Sequence, residues 1–552
     1  MNPDQLAVTV RTAAVDALTR RGLDPSAVPG AVSVERPRNP AHGDYASTVA
    51  LQAARKAGVP PRELAEAIAD ELARDPAVQS AEVAGPGFLN IRLTPAATGS
   101  VAGTVVELGA GYGRSTAMAG QRVNLEFVSA NPTGPVHIGG VRWAAVGDAL
   151  ARLLRAEGAG VSTEYYFNDA GAQIDRFARS LLVAARHEPA PADSYAGEYV
   201  GDIAEMVVKE HPGVLGQPRE QALETFRAAG VALMFAQIRQ SLAGFGVRFD
   251  EYFNESDLHD RGELDAALHR LTASGHVYQA DGATWVRTTD FGDDKDRVYV
   301  RGNGEFTYFA ADCAYYLDKR RRGFGKVIII LGADHHGYIG RMRAVAACFG
   351  DDPDQTLEIL IGQLVNLLRD GEPLRMSKRA GTVVTIDDLV DAIGVDAARY
   401  ALARYSLDSP IDLDLDLWTR RSNDNPVYYV QYAHARISSL LRNAARAGIA
   451  WADRYDPALL THDREQDLLK ALSEFPAVVA TAAELRQPHR VPRYLENLSG
   501  TYHRFYDACR VLPRGDDLLD ETGRARLWLA DAARIVLANG LGLLGVSAPD
   551  RL

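Results

Sequence analysis

Two distant segments of the chain share one pattern, a strand signal followed by a glycine-containing loop and then a helical run. In the first, residues 123–128 (VNLEFV) precede the loop 129–140 (SANPTGPVHIGG). In the second, residues 327–331 (VIIIL) precede the loop 332–337 (GADHHG). The continuous apolar run 327–331 indicates a strand buried on both faces of a parallel sheet, and a glycine-containing loop between strand and helix is a phosphate-binding geometry. The pattern predicts a Rossmann-like parallel-sheet domain.

The 552 residues are enough for three or four domains, since a domain takes roughly 150 residues. Residues 1–108 combine helical runs with one period-two strand signal at 87–93, which predicts a small α+β domain. The Rossmann-like domain is assigned to 109–420, with an insertion at 176–300 whose function the sequence does not reveal. Residues 421–552 are helical throughout and predict an all-α helical bundle. The fold class is therefore multidomain α/β.

Two segments within 109–420 invite functional readings that we set aside. The glycine-rich stretch 109–113 lacks the flanking strand and helix of a dinucleotide-binding loop and is predicted to be a linker. Residues 411–417 (IDLDLDL) alternate apolar and acidic side chains, which predicts a half-exposed strand; a calcium loop would need a glycine and a closing glutamate.

Composition narrows the class of protein. Hydrophobic residues make up 47% and charged residues 24%, as in a globular protein, and no apolar run is long enough to span a membrane. The N-terminus mixes acidic and basic residues where a signal peptide needs an apolar core. Three cysteines, Cys313, Cys348 and Cys509, are too few and too far apart for a disulfide framework. We expect a cytoplasmic protein.

The net charge of −12 argues at first against a nucleic-acid partner, because duplex binders usually carry a basic footprint. The charge is unevenly distributed, however. Residues 421–552 hold 17 basic and 16 acidic side chains, so this segment is nearly neutral and can still carry a basic face.

Two short segments carry the chemistry. HIGG (residues 137–140) opens a predicted helix directly after a strand, and RMSKR (residues 375–379) is a cationic loop after a later strand. Taken alone, a loop histidine is more often structural, and a cationic loop is often a surface turn. Taken together and in this order, they resemble the HxGH and KMSKS signatures of class I aminoacyl-tRNA synthetases.

Further segments resemble one family in that class, the arginyl-tRNA synthetases. The resemblance spans essentially the whole chain, and its segments are residues 85–90, 126–140, 164–171, 307–312, 332–338, 428–436 and 536–545. It implies ATP-dependent attachment of L-arginine to tRNA(Arg) through an arginyl-adenylate. It also implies that the chain has an N-terminal domain that touches the tRNA elbow and a C-terminal anticodon-binding domain.

The resemblance implies an arginine pocket built from five residues. Glu126 and Asp312 would supply carboxylates for the planar guanidinium, helped by Tyr308, which lies on the same helical face as Asp312 at i,i+4 spacing. Asn131 and His335 would hold the amino and carboxylate ends of the substrate. Without the resemblance, Tyr308 would be taken as a core residue and Asp312 as a surface charge.

The resemblance also implies the ATP site. His137 and Lys378 are the predicted catalytic residues, and the predicted nucleotide contacts are His137, Gly139, Gly140, Met376, Ser377, Lys378 and Arg379. Free backbone N–H groups at a helix start near Gly140 would add to the phosphate site. Mg²⁺ is expected to come with ATP, because Asp334, His335 and His336 are too few ligands for a dedicated metal site.

The two signatures depart from the class pattern. Gly140 stands where the class has its second histidine, which removes one oriented donor. RMSKR keeps the phosphate-stabilising lysine as Lys378. Some members of the family look as if they lack that lysine and are compensated by another lysine shortly before the histidine signature. This chain has Gly134 at that earlier position.

The predicted tRNA contacts lie at both ends of the chain. Tyr428, Tyr432 and Arg436 are placed to stack on splayed anticodon bases, and Phe88 and Asn90 to touch the tRNA elbow. The basic run 319–322 (KRRR) is expected either to face the tRNA backbone or to be a solvated helix end.

The expected partners are thus tRNA(Arg), L-arginine and ATP, with no membrane and a monomeric chain. Two alternatives stay open at the level of sequence. One is a catalytically impaired, synthetase-like tRNA-binding or regulatory protein, which the loss of the histidine at Gly140 would favour. The other is an enzyme for glutamate, glutamine or cysteine, which the paired carboxylates disfavour.

Overall fold

The computed structural model describes residues 1–37, 39–169, 171–374, 384–449, 454–513 and 518–552. Its N-terminal part contains Pro3–Arg20 (α1), Tyr45–Ser47 (β1), Val49–Ala57 (α2), Pro61–Leu72 (α3), Val78–Ala84 (β2) and Phe88–Leu93 (β3). The strands form an antiparallel sheet in the order β1-β3-β2. Alternate residues of β3, namely Leu89, Ile91 and Leu93, are buried against the helices. The period-two signal and the α+β prediction are confirmed.

Helix Pro95–Leu108 (α4) lies in the segment 1–108 but packs on the C-terminal helices. Its backbone approaches residue 457 so closely that a Cβ added at Gly99 would lie 2.1 Å from the carbonyl oxygen of Pro457. The Tyr455 hydroxyl donates to the Gly99 oxygen at 2.6 Å and accepts from the Gly103 N–H at 2.7 Å. This helix therefore joins the two ends of the chain.

The central part contains eleven strands among its described residues: Arg122–Glu126 (β4), Gly160–Phe167 (β5), Glu251–Asn254 (β6), Val277–Ala280 (β7), Ala283–Val286 (β8), Arg297–Val300 (β9), Lys326–Gly332 (β10), Leu357–Gly362 (β11), Val365–Arg369 (β12), Glu372–Pro373 (β13) and Ile411–Asp414 (β14). Five of them form the predicted parallel sheet, in the order β11-β10-β4-β5-β6.

The helices of the central part are Ile138–Ala156 (α5), Ala172–Ala185 (α6), Glu198–Glu210 (α7), Arg219–Gly244 (α8), Ser256–Asp260 (α9), Glu263–Ala273 (α10), Tyr308–Arg321 (α11), Tyr338–Cys348 (α12), Pro353–Thr356 (α13), Ile386–Ile393 (α14), Val395–Ala403 (α15) and Leu415–Thr419 (α16). Within the predicted insertion 176–300, β6 is the edge strand of the parallel sheet, whereas β7, β8 and β9 form a separate antiparallel sheet.

The acidic-apolar stretch 411–417 is a strand only in its first half. β14 pairs in parallel with β12, and then α16 begins. The reason is local: the Asp414 side chain accepts hydrogen bonds from the backbone N–H groups of Asp416 and Leu417 and so caps a helix. The prediction of a strand is wrong from Leu415 onward.

The C-terminal part contains Pro426–Arg446 (α17), Asp463–Glu484 (α18), Arg490–Ala508 (α19) and Glu521–Leu543 (α20), as the all-α prediction requires. Fully buried Arg399 of α15 fixes this bundle to the central part. It donates to the carbonyl oxygens of Phe245 and Leu544, each at 3.0 Å, and pairs with Asp148 of α5. In the described ranges, no helix combines the length and apolar character needed to cross a bilayer.

Candidate active site

Two glutamates stand side by side at the carboxyl end of the sheet. Glu126 ends β4, and Glu164 is its register partner on β5. Lys319 of α11 inserts between them and is only 1% exposed. Its Nζ lies 2.8 Å from Glu126 Oε2, 2.9 Å from Glu164 Oε1 and 2.6 Å from the side-chain oxygen of Asn124. A lysine ammonium has three N–H donors, so all three are used here.

The two glutamates differ in how many donors they receive. Glu164 accepts from Lys319, from Asn124 Nδ2 at 3.0 Å, from the Tyr315 hydroxyl, and twice from Arg322, at 2.6 and 3.1 Å. Burial raises its pKa, but Lys319 and Arg322 outweigh burial and hold the pKa at about 2. Among the described residues, Glu126 accepts only from Lys319 and from the Ser129 hydroxyl. Glu126 therefore retains room for further donors.

The backbone after β4 is strained at the point where it places Ser129. Val128 and Ser129 have φ values of 70° and 41°, in a left-handed region that β-branched residues in particular avoid. The Ser129 hydroxyl donates to Glu126 Oε1 at 3.0 Å and accepts from the Tyr166 N–H at 3.2 Å. Such strain persists only where the surroundings impose it, and it often marks a functional site.

Asp312 lies two helical turns before Lys319 on the same face of α11. It is half-buried, and its Oδ2 accepts a hydrogen bond from the Tyr338 hydroxyl at 2.6 Å. Burial raises the pKa of Asp312 to about 7, opposed by Tyr338 and Arg341. The charges of Glu255 and Glu126 raise it further, which places Asp312 in the same acidic cluster as Glu126.

The other predicted arginine contacts differ in their surroundings. Tyr308, in the first turn of α11, is 68% exposed, so the interpretation of Tyr308 as a buried core residue is wrong. Asn131 accepts from the Asn168 N–H at 3.1 Å and donates to Gln173 at 3.1 Å. The His335 ring packs edge-on against Tyr338, the residue that binds Asp312.

His137 is the N-cap of α5, which begins at Ile138 rather than near Gly140. Its Nδ1 accepts from the Gly139 N–H at 3.2 Å, so this N–H is not free for a phosphate, contrary to the prediction. The Ile138 N–H donates to the Val384 oxygen, and the Ile386 N–H donates to the Val136 oxygen, each at 3.0 Å. The start of α5 is thereby fixed to the chain that follows the second signature.

The glycines of the first signature are tightly surrounded. A Cβ added at Gly140 would lie 2.8 Å from Cγ1 of Val136, which is only 3% exposed. A Cβ at Gly139 would lie 3.1 Å from the His137 ring, and one at Gly134 would lie 3.2 Å from the Tyr199 hydroxyl. Side chains at these positions therefore require their neighbours to move.

The second signature lies outside the described residues, since the structure describes nothing between 374 and 384. The predicted nucleotide contacts Met376, Ser377, Lys378 and Arg379 fall there. In the described residues, β13 precedes this segment. Shortly after the segment, Thr385 forms a β-bridge with His137 at the start of α5.

The expectation for the basic run 319–322 is wrong for Lys319, whereas Arg321 is exposed at the end of α11. Lys319 is buried between the two glutamates, and the three arginines pair with carboxylates: Arg320 with Asp351, Arg321 with Glu263, and Arg322 with Glu164 and Asp318. Asp351 and Glu164 come from distant parts of the chain, which is why local sequence did not reveal these pairs. The available signal was the seven-residue spacing from Asp312 to Lys319, which puts both on one helix face.

The predicted anticodon contacts share one face of α17. The rings of Tyr428 and Tyr432 stack with centroids 6.1 Å apart and planes 6° apart. The Arg436 guanidinium lies 4.0 Å from the Tyr506 ring centroid and 6.0 Å from that of Tyr432. Tyr432 is 36% exposed, so this face offers an open ring beside a cation.

The predicted elbow contacts lie on the first and third positions of β3. Phe88 is 40% exposed, and Asn90 is half-buried on the same face of the strand. An exposed phenylalanine next to an amide is a surface on which a nucleotide can stack and form a hydrogen bond.

Comparison with known proteins bears on all three parts of the chain. The family model described as the arginyl tRNA synthetase N terminal domain matches residues 5–93, the class I (R) tRNA synthetase catalytic domain matches 215–406, and the DALR anticodon binding domain matches 430–552. An arginine–tRNA ligase of Kineococcus radiotolerans is 61% identical over 554 residues, which cover 100% of both chains.

Solved structures show the same fold. The Thermus thermophilus arginyl-tRNA synthetase superposes with a TM-score of 0.75 at 22% identity, over 99% of this chain and 100% of that one. The Plasmodium falciparum arginyl-tRNA synthetase gives a TM-score of 0.70 at 15% identity over 100% of both chains. The resemblance found in the sequence is confirmed: this chain belongs to the arginyl-tRNA synthetase family of class I aminoacyl-tRNA synthetases.

Proposed function

We propose that this arginine–tRNA ligase recognises the guanidinium of L-arginine through Glu126 and Asp312 and then transfers the arginyl group to tRNA(Arg). The observation that carries the proposal is the contrast between the two buried glutamates. Glu164 is saturated by protein donors, whereas Glu126 keeps acceptor capacity at the carboxyl end of β4, where parallel sheets bind ligands. A guanidinium presents two parallel N–H donors that match this capacity.

The remaining arginine contacts follow from their positions. Asp312 would supply the second carboxylate once its proton is displaced by the bound cation. Exposed Tyr308 would cover the pocket at the start of α11. Asn131 and His335 would hold the α-amino and α-carboxylate groups of the substrate.

In the first step, an oxygen of the arginine carboxylate attacks the α-phosphorus of ATP. The P–O bond to pyrophosphate breaks, which leaves arginyl-adenylate. His137, Lys378 and the Mg²⁺ that enters with ATP would stabilise the developing charge, and Gly139, Gly140, Met376, Ser377 and Arg379 would line the nucleotide. Outside the undescribed segments, the chain has no cluster of three or more His, Cys, Asp or Glu side chains that would hold a metal on its own.

In the second step, a ribose hydroxyl of the tRNA attacks the arginyl carbonyl carbon and AMP leaves. The stacked Tyr428 and Tyr432, with Arg436, would hold the anticodon loop. Phe88 and Asn90 would contact the tRNA elbow. We infer that the chain works as a monomer in the cytoplasm.

The test is aminoacylation by the purified chain with ATP, Mg²⁺, tRNA and each amino acid in turn. Arginine alone should be charged. Charging of glutamate, glutamine or cysteine would overturn the pocket assignment. No charging at all, with tRNA still bound, would favour the catalytically impaired alternative that Gly140 raises.

A further inference from the structure

Lys319 lies outside every site described for arginine, ATP or tRNA, yet it touches the residue on which arginine recognition depends. We propose that Lys319 is a positioning residue for arginine recognition: it holds the Glu126 carboxylate in the one orientation that leaves a free acceptor direction on each oxygen for the substrate. This inference rests on the proposed role of Glu126.

The Glu126 carboxylate is held by a separate donor at each oxygen. Lys319 holds Oε2 at 2.8 Å and Ser129 holds Oε1 at 3.0 Å, so the carboxylate is fixed at both oxygens. A carboxylate oxygen accepts about two hydrogen bonds, so one direction remains on each. One free acceptor direction on each oxygen is the minimum that a guanidinium needs to bind the carboxylate with two N–H groups.

The placement of Lys319 itself leaves it no freedom. Its side chain is 1% exposed, its three donors are all used, and its Nζ lies 4.2 Å from the ring centroid of Tyr315. The same helix carries Tyr308 and Asp312, so a single rigid element sets the second carboxylate and orients the first. Sites held by such locked side chains are the ones that discriminate between ligands.

Lys319 also balances the charge of the two buried glutamates. Glu126 and Glu164 are adjacent in the sheet register, and without a cation between them two buried anions would repel each other. Arg322 compensates Glu164, whereas among the described residues the cation within ion-pair distance of Glu126 is Lys319. Lys319 is therefore the cation that makes a buried, ionised Glu126 compatible with its neighbour.

The competing explanation is that Lys319 merely stabilises the fold by neutralising Glu164. Two variants of the full-length chain separate the explanations. Lys319→Met removes the ammonium. Lys319→Met combined with Glu164→Gln also removes the neighbouring anion, so that the buried charge is balanced again while Glu126 still lacks its anchor.

We expect the double variant to fold and to show a KM for arginine roughly 10- to 100-fold above wild type, because loss of fixed geometry weakens binding by about this factor. The KM values for ATP and tRNA should stay unchanged. Lys319→Arg, which keeps the charge but not the ammonium geometry, should lie between wild type and the double variant. Arg320→Met is the matched control, since it removes the adjacent cation and its pair with Asp351 without touching Glu126.

The inference is overturned if the double variant or, should that variant not fold, Lys319→Arg has the wild-type KM for arginine. It is also overturned if Arg320→Met raises that KM equally. Glu126→Gln measured in the same series separates the two proposals. If Glu126→Gln raises the KM for arginine while the Lys319 variants leave it unchanged, only the proposed role of Lys319 is contradicted. If Glu126→Gln leaves the KM for arginine unchanged, the proposed pocket is contradicted as well.

Discussion

Around Glu126 the chain buries its charged groups, whereas along α17 it exposes aromatic rings. Glu126 and Glu164 are 6% and 0% exposed, and their donors come from β4, the loop that follows it, and the C-terminal half of α11 with its C-cap. Tyr432 is 36% exposed and is stacked on its own helix neighbour Tyr428. Inside a dry site each hydrogen bond to a charge is strong and each missing partner is costly, while exposed stacking is weaker and tolerant of sequence. On the proposed function, the chain would bind a small cation through buried charges and a large nucleic acid through exposed rings.

The largest expected effect is at Glu126. Glu126→Gln removes the acceptor charge and leaves Lys319 facing Glu164 alone, so kcat/KM for arginine should fall by roughly 10²–10³, as loss of a buried charged partner predicts. The KM for tRNA should not change. Glu263→Gln, which breaks the pair with Arg321 at the protein surface, is the control; an equal loss there would show that the effect is not specific to the pocket.

Asp312→Asn comes next. Losing one charge-assisted contact to the guanidinium should raise the KM for arginine by roughly 10-fold or more, at about 1.5–3 kcal/mol for such a bond. The KM for ATP should stay constant. Steady-state aminoacylation with each substrate varied in turn measures both. If arginine use stayed at the wild-type level, Asp312 would have no place in the pocket.

The pH dependence of arginine binding tests the same carboxyl. Burial raises the pKa of Asp312 to about 7, so this group is largely protonated below that pH and ionised above it. Because only the ionised form pairs with a cation, the KM for arginine should fall as the pH rises from about 6 to about 8, as proton linkage requires. Asp312→Asn should flatten this part of the profile, and a flat wild-type profile would contradict the assignment.

On the exposed side, Tyr432→Ala should raise the KM for tRNA by roughly 5- to 30-fold, because a partly exposed ring gains about 1–2 kcal/mol, the lower part of the range for a base stacked on an aromatic side chain. Arginine and ATP parameters should be unaffected. Tyr432→Phe keeps the ring and should behave as wild type. If the two variants were equally impaired, the hydroxyl rather than the ring would be the tRNA contact.

The smallest effect is expected at Phe88. Phe88→Ala removes one exposed ring from β3, so the KM for tRNA should rise only about 2- to 5-fold, at the weak end of the stacking range. Phe88→Tyr is the ring-retaining control. If Phe88→Ala raised the KM for tRNA as much as Tyr432→Ala does, the N-terminal sheet would contribute as much to tRNA binding as α17.

The sequence predicted the parts of this molecule that depend on local pattern. The two strand-loop-helix units, the strand β3 and the helical C-terminus all repeat their side chains at the period of the element they form. It also placed Glu126 and Asp312 in one pocket through family resemblance, and this remains a prediction until substrate contacts are measured.

What the sequence did not reveal depends on contacts between distant segments. In the sequence, Lys319 is the first residue of a basic run. Only the fold brings Glu126 and Glu164 to its ammonium group. The strained turn at Val128 and Ser129 is equally invisible, because neither residue favours a positive φ and the surroundings must impose it. Burial of charge and backbone strain are properties of the assembled pocket.

The tight packing of Gly140 constrains how this lineage can change. A single substitution that restored the histidine of the class signature would push its Cβ to within 2.8 Å of Val136, a buried and rotationally stiff side chain. The histidine therefore becomes acceptable only after position 136 has been reduced in size, which by itself opens a cavity in the core. We therefore expect a histidine at position 140 to be tolerated better when position 136 carries a smaller side chain than valine.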